Sequence, residues 1–159
     1  MKSLLGNQTK ELSASSVSRL TQQWEAEYDQ LCKRDLNKRR YVYILADVIY
    51  CKVWMDDKLC PLVVIGVDDV SCKEMLVVVD GYRESEVSWL EVLASLTYQG
   101  ISFASELAVN DGAFGFWNAV TKHRPTTRHQ CCWVHKMGNV LNKVPKYVQP
   151  RMKKRLHAI

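Results

Sequence analysis

Apolar positions along the chain change their period more than once, and each change predicts a change of structure. Between residues 12 and 36, Val17, Leu20, Trp24, Tyr28 and Leu31 fall three or four apart, on one face of a helix. Ser13 or Ser15 can cap its start, because a serine hydroxyl accepts from a free backbone N–H. The basic cluster Lys38-Arg39-Arg40 closes this arm. From there the pattern becomes that of strands. Tyr41-Val42-Tyr43-Ile44-Leu45-Ala46 is rich in aromatic and β-branched residues, and the pattern continues through Trp54. Met55-Asp56-Asp57-Lys58 reads as a turn, residues 62–67 as a second strand, Asp68-Asp69-Val70-Ser71 as another turn, and residues 75–79 as a third strand. Consecutive strands joined by short turns predict an antiparallel meander.

Helical periodicity then returns. Val87, Leu90, Leu93 with Ala94, and Leu96 with Thr97 mark a helix that stops at Gly100, as helices commonly do at glycine. Residues 103–110 predict a fourth strand ending at Asp111-Gly112, and Phe114, Trp117 and Val120 a helix stopped by Pro125. Residues 126–134 predict a fifth strand, and the remainder basic helices broken near Pro145 and Pro150. The order strand, strand, strand, helix, strand, helix, strand argues for an α/β fold with a mixed sheet and helices packed against it. The expected organisation is a helical arm over 1–40, a core over 41–135 and a basic helical segment over 136–159.

Charge adds a polarity that the net value of +5 conceals. Residues 1–40 carry eight Lys/Arg and five Asp/Glu, residues 41–111 four against twelve, and residues 112–159 ten Lys/Arg and no acid. An acidic middle flanked by basic ends suits a protein whose centre gathers cations and whose flanks meet a polyanion. The simpler alternative for the last stretch is a solvated basic helix. The longest apolar run, residues 59–67, is too short to span a bilayer and contains Pro61. The start, residues 1–7, turns polar too soon for a signal peptide, so a cytoplasmic location and no membrane partner are expected. Cys32, Cys51, Cys60 and Cys72 are isolated and no Cys-x-x-Cys pair exists, so reduced, mostly packed thiols are expected.

Two carboxylates stand out. Asp47 follows the apolar residues 41–46 and precedes Val48-Ile49-Tyr50, so its strand is expected to be central and buried on both faces. A carboxylate there would lose hydration worth roughly several kcal/mol unless a cation or donors compensate. Asp111 ends the fourth predicted strand, where α/β sheets gather reactive groups. If the first and fourth strands are neighbours, the two carboxylates converge, and two hard oxygen ligands suit Mg²⁺ or Mn²⁺. A pair of such ions roughly 4 Å apart can activate an attacking hydroxyl and stabilise the leaving oxygen of a phosphodiester. The competing reading makes Asp47 a turn cap and Asp111 a helix cap; their matched places in this element order favour the metal. Asp56, Asp57, Asp68, Asp69 and Asp80 fall in turns, where aspartate serves local hydrogen bonding, and stay outside the candidate site.

These residues carry a resemblance. Ala46-Asp47 with Tyr50 resembles the first catalytic strand of Mutator-type bacterial insertion-sequence transposases, and Asp80-Gly81-Tyr82-Arg83-Glu84-Ser85-Glu86 with Ser88-Trp89 the block leading into their first core helix. Leu107-Ala108-Val109-Asn110-Asp111-Gly112-Ala113-Phe114-Gly115-Phe116-Trp117 is similar to their second catalytic block. Gln130-Cys131-Cys132-Trp133-Val134-His135-Lys136, with Asn139-Val140-Leu141 and Pro145-Lys146, is similar to the Cys-x-x-His block that follows. The resemblance runs from about Leu12 to Ile159. It implies a ribonuclease-H-like core, two metal ions held first by Asp47 and Asp111, and binding to the terminal inverted repeats of an element and to target DNA. The nucleophile it implies is a water or a 3′-hydroxyl, and it also implies self-association and a nucleoid-associated protein.

Two departures shape the expectation. Cys131 stands where the family carries a basic residue. The family's third carboxylate is a glutamate well downstream, whereas this chain has no Asp or Glu after Asp111, and Glu84, Glu86, Glu91 and Glu106 come too early to replace it. The expectation is therefore a transposase fragment, catalytically incomplete by itself. A small ribonuclease-H-like nuclease, or a DNA-binding inhibitor of intact transposase, are the alternatives. Cys132 and His135 have the spacing of half a zinc site, but no second pair is evident, so a packed thiol and a hydrogen-bonded histidine are expected rather than zinc. Arg19 could face phosphate from the arm, although the arm's helix is expected mainly to pack. Lys136, Lys143, Lys146, Arg151, Lys153, Lys154 and Arg155 are candidates for non-specific DNA phosphate contacts. Trp133 is expected in the core rather than stacked on a base.

Overall fold

A computed structural model of the chain describes residues 13–52, 58–80, 84–101 and 105–158. Residues 1–12, Trp54 with the turn at Met55-Asp56-Asp57, Gly81-Tyr82-Arg83, Phe103 and Ile159 lie outside the described residues. The chain divides into two compact units, Met1–Arg34 and Asp35–Ile159. The first contains α1 (Ala14–Lys33). Ser13 is its cap: extended backbone turns its hydroxyl toward the Ser16 N–H, 3.2 Å away. At the other end Lys33 reaches Asp29 at 3.3 Å, one helical turn back. None of its residues is buried.

The second unit is built on a five-stranded sheet. Its members are β1 (Tyr41–Val48), β4 (Leu62–Asp68), β5 (Lys73–Val79), β6 (Leu107–Asn110) and β7 (Arg128–Cys131), and they lie in the order β5-β4-β1-β6-β7. β1 pairs antiparallel with β4 and β4 with β5, as the meander predicts, while β1–β6 and β6–β7 are parallel. An antiparallel meander whose first strand also pairs in parallel with β6, followed by β7, with helices between these strands in the chain, is the ribonuclease-H-like arrangement. The turn after β4 is set by Asp68, whose Oδ1 accepts from the Val70 and Cys72 N–H groups while Ser71 adopts a φ of 65°.

The helices α2 (Glu86–Tyr98) and α3 (Phe114–His123) complete the core. Ser85 caps α2 by accepting from the Ser88 N–H. The helix ends in a left-handed Gly100 at φ 106°, with Gly100 N–H bonded to Thr97 O and Ile101 N–H to Leu96 O, a closure that only glycine adopts without strain. Trp89, Val92, Leu93 and Leu96 of α2 join Phe116, Ala119 and Val120 of α3 over Ile44, Ala46 and Ala108 of the sheet. Trp89 and Phe116 meet edge to face with ring centroids 4.9 Å apart, the geometry their quadrupoles favour. The Arg124 guanidinium, buried after α3, donates to Thr97 Oγ1 and Ile101 O and so ties the ends of the two helices.

Three expectations need correction. The single strand expected to run on from Tyr41 is two elements: β1 ends at Val48, Ile49 N–H turns to Pro61 O, and β2 (Cys51–Lys52) pairs with β3 (Lys58–Leu59) in a separate ribbon. The fifth strand stops at Cys131, and Trp133 and Val134 open α4 (Trp133–Asn142) instead. Its partner β6 has ended at Asn110 and the chain turns away at Gly112, φ 113°, so no ladder remains for further residues to join. Among the described residues the thiols are not mostly packed: Cys60 is buried, Cys32 and Cys132 are half-buried, and Cys72 and Cys131 are exposed. After α4 comes α5 (Gln149–Leu156), whose Gln149 amide donates to Leu141 O and Val144 O. No helix among the described residues is long and apolar enough to cross a membrane.

Candidate active site

The parallel ladder between β1 and β6 decides where the two singled-out carboxylates lie. Tyr43 stands opposite Leu107, Ile44 opposite Ala108 and Leu45 opposite Val109, a constant offset. Continued along both strands, it sets Asp47 beside Asp111, on chains roughly 4.8 Å apart. Asn110 carries the register past the last ladder pair. Its buried amide donates from Nδ2 to Ala46 O at 3.1 Å, and its Oδ1 accepts from the Gly112 and Ala113 N–H groups, both at 3.0 Å. One side chain thus joins the end of β1 to the turn that carries Asp111.

Asp47 is not the buried carboxylate expected from its apolar strand. β1 is central, but its burial alternates, and the Asp47 side chain is 57% exposed. The desolvation argument therefore fails. A strand's period of two puts Ile44 and Ala46 against the helices and Asp47 on the other face. Asp111 is exposed as well. Each carboxylate uses one oxygen locally: Asp47 Oδ1 accepts from the Val48 N–H at 2.9 Å and Asp111 Oδ1 from the Ala113 N–H at 3.0 Å. The second oxygen of each makes no hydrogen bond among the described residues.

Around this pair stand groups from three other segments. Cys132 N–H bonds Asn110 O at 2.7 Å, which pins the start of α4 to the end of β6. One turn on, His135 Nε2 lies 4.0 Å from Asp47 Oδ1, close enough for charge to matter but beyond a hydrogen bond. Its Nδ1 is buried with no hydrogen-bond partner among the described residues, where a hydrogen-bonded histidine is expected from the sequence. Trp133, expected in the core, is 46% exposed. Three residues beyond Asp47, the Tyr50 hydroxyl donates to Glu84 Oε2 at 3.1 Å. Its phenol is held above the ordinary tyrosine value by lost hydration first, then by the Glu84 charge and hydrogen bond, with a smaller contribution from Asp111.

Tyr50, Glu84 and Asn110 are the site residues whose roles sequence reasoning misses. Asn110 looks like an ordinary Asn-Asp-Gly turn residue, and Glu84 is dismissed on its place in the chain order. The basic candidates lie apart from the carboxylates in sequence: Arg19 is exposed on α1, Lys136 on α4, Lys143 just past it, Lys146 in the connection, and Arg151, Lys153, Lys154 and Arg155 on α5. None of them is paired with a carboxylate among the described residues.

The donor set fits a hard divalent cation that keeps much of its water. Two exposed carboxylates with a spare oxygen each are the usual protein share of such a site. Among the described residues no group of three or more His, Cys, Asp and Glu side chains could hold a metal ion, so neither a closed cage nor a zinc set around Cys132 and His135 is formed.

Comparison with known proteins shows the family of the chain. The family described as "Transposase, Mutator family" matches residues 2–159. The chain belongs to the Mutator family of transposases. It is 46% identical over 140 residues to the transposase for insertion sequence element IS6120 of Mycolicibacterium smegmatis, covering 87% of this chain and 43% of that one. Against the transposase for element IST2 of Acidithiobacillus ferrooxidans it is 40% identical over 163 residues, covering 98% and 53%. This Mutator-family chain thus spans about half the length of the curated relatives it matches. Among solved structures it is similar to the catalytic core domain of HTLV-2 integrase, determined with magnesium, at 17% identity and a TM-score of 0.38 over 77% of this chain and 86% of that one. The fold assignment rests on the strand order itself, not on that likeness.

Proposed function

We propose that this chain supplies two of the three carboxylates of a DNA transposase, Asp47 and Asp111, and part of its DNA-binding surface. The observation that carries the reading is the parallel register of β1 and β6, which sets both carboxylates at adjacent strand ends in a Mutator-family chain. Their spare oxygens would hold Mg²⁺ or Mn²⁺. Bound there, such ions supply activation of a water or 3′-hydroxyl and stabilisation of the leaving oxygen of a phosphodiester. Asn110 keeps the two carboxylate-bearing strand ends together, and His135 adds a dipole or positive charge beside Asp47. Lys136, Lys143, Lys146, Arg151, Lys153, Lys154 and Arg155 track the phosphates of the element's terminal inverted repeats and of target DNA, with Arg19 a further contact from the arm. Residues 112–159 contain no Asp or Glu, so the third carboxylate of the family is not offered by this stretch. Strand transfer by this chain alone is therefore not expected. Self-association and a place at the nucleoid follow from the same reading.

The test is a titration with Mn²⁺, followed by water-proton relaxation, and an assay of cleavage on inverted-repeat DNA. One saturable class of Mn²⁺ sites is expected, lost in Asp47→Asn and in Asp111→Asn, with no strand transfer from the unaltered chain. Equal Mn²⁺ binding in the doubly substituted protein would sink the metal assignment. Robust strand transfer that vanishes in Asp111→Asn would show that the two carboxylates suffice.

A further inference from the structure

We infer that Tyr50 is a stacking platform for an unpaired base at the DNA end, set beside the carboxylate pair and aimed by Glu84. The inference rests on the reading of this chain as a DNA transposase and names the part of the substrate that touches a further residue. Three observations carry it. Tyr50 stands three residues beyond Asp47, where Ile49 N–H is tied to Pro61 O at 3.0 Å, so the backbone that presents the ring is anchored. Tyr50 is 69% exposed, yet its hydroxyl is already engaged by Glu84 Oε2 at 3.1 Å. Glu84 Oε1 is itself buried, with no hydrogen-bond partner among the described residues.

The electrostatics select which part of DNA can lie on this ring. Asp111 and Glu84 both act on the phenol, and Asp47 is close by in the chain. A phosphate approaching Tyr50 without a cation would meet this negative field. An uncharged base would not, and every base has a flat face to offer an aromatic ring. The phenol hydrogen bond fixes the ring's azimuth, so little side-chain freedom is left to lose when a base stacks. Phosphates would be drawn instead to the acid-free stretch 112–159. A base can reach the ring only when unpaired, so the inference predicts a preference for a splayed DNA end over a blunt one.

The experiment uses this chain and two short duplexes identical except that one carries mismatched terminal pairs, with a fluorescent aminopurine at the unpaired position. Base–aromatic stacking corresponds to a roughly five- to hundredfold preference for the splayed end. That preference is expected together with quenching of the aminopurine. In Tyr50→Ala the ratio of splayed-end to blunt-end affinity should fall to about one, with the quenching lost. Tyr50→Trp should keep both, and Glu84→Ala should retain quenching but lower the preference about threefold, because the ring is less well aimed. If the unaltered chain binds both duplexes equally without quenching, the inference fails, and that arm needs no variant to fold. It also fails if Tyr50→Ala retains the preference, while the DNA-binding reading stands. Absence of any DNA binding by the unaltered chain would overturn both.

Discussion

Replacing Asn110 with alanine tests whether this side chain joins the two carboxylate-bearing strand ends. The substitution removes three hydrogen bonds: Nδ2 to Ala46 O at 3.1 Å, and those from the Gly112 and Ala113 N–H groups to Oδ1, both at 3.0 Å. Ala113 N–H keeps a second acceptor in Asp111 Oδ1, so Ala46 O and Gly112 N–H are the groups that lose this partner. At about 1–3 kcal/mol for each group left unsatisfied, the expected loss is about 2–6 kcal/mol of folding stability, nearer the lower end because Gly112 is only part-buried. That is a large share of the roughly 5–15 kcal/mol typical of a domain. Urea unfolding followed by tryptophan fluorescence reads it directly, because Trp89 is buried against Phe116. With a mid-range slope of about 2 kcal/mol per molar urea, the midpoint should fall by roughly 1–3 M. Asn110→Asp is the sharper variant. It sets a carboxylate oxygen against Ala46 O, and its lost stability should return as pH falls and the acid regains a donor. A loss below about 1 kcal/mol in Asn110→Ala, or an Asn110→Asp variant indifferent to pH, would refute the account.

Other expectations follow from the same structure. In Gly66→Ala the new methyl would lie 2.5 Å from Tyr41 Cδ1 and 2.8 Å from Leu76 Cδ1, so a cost of about 1–3 kcal/mol is expected in the same urea series, and a neutral result would show that these side chains yield. Burial, then the Arg124 charge, hold the His123 imidazole below its ordinary value. The unfolded chain therefore takes up that proton first as pH falls through about 6.5. This contribution to stability is full above that pH and is lost on acidification. His123→Gln should flatten that part of a pH series of urea midpoints; an unchanged slope would discount the group. On α5, Lys153→Ala with Lys154→Ala should lower the slope of log binding constant against log salt by about 0.9 for each phosphate no longer neutralised, and an unaltered slope would place DNA elsewhere.

Much of the fold could be read from period alone, because the elements that carry it are packed from one side. Trp89, Val92, Leu93 and Leu96 recur at helical spacing and are buried together. The β4 and β5 runs are apolar and flanked by aspartate or glycine turns, so the meander follows. β7 is different. Arg128-His129-Gln130-Cys131 is exposed at every position, and only the parallel partner makes it a strand. No local pattern announces where such a strand ends, and β-favouring Trp133 and Val134 mislead. The link between Tyr50 and Glu84 spans β4 and β5, 34 residues of chain, so composition and spacing are blind to it.

Asp47 shows how a pairing of carboxylates can be reached through a wrong premise. The apolar run before it suggests burial on both faces, and burial suggests a compensating cation. In the structure β1 is central but alternates, and Asp47 is open to solvent. Openness serves the proposed chemistry better, since a phosphodiester and hydrated ions must reach both oxygens. What confines the pair is parity. In β1 and β6 alike, the residue before the carboxylate points inward and the carboxylate outward: Ala46 and Asn110 are buried, Asp47 and Asp111 exposed. A slip of one residue in the parallel ladder would turn one carboxylate toward the helices and its neighbour out. The Asn110 amide opposes that slip, because it can meet Ala46 O only in the observed register. The bond that holds the two strand ends in the core is thus also the one that sets the two carboxylates side by side on the open face.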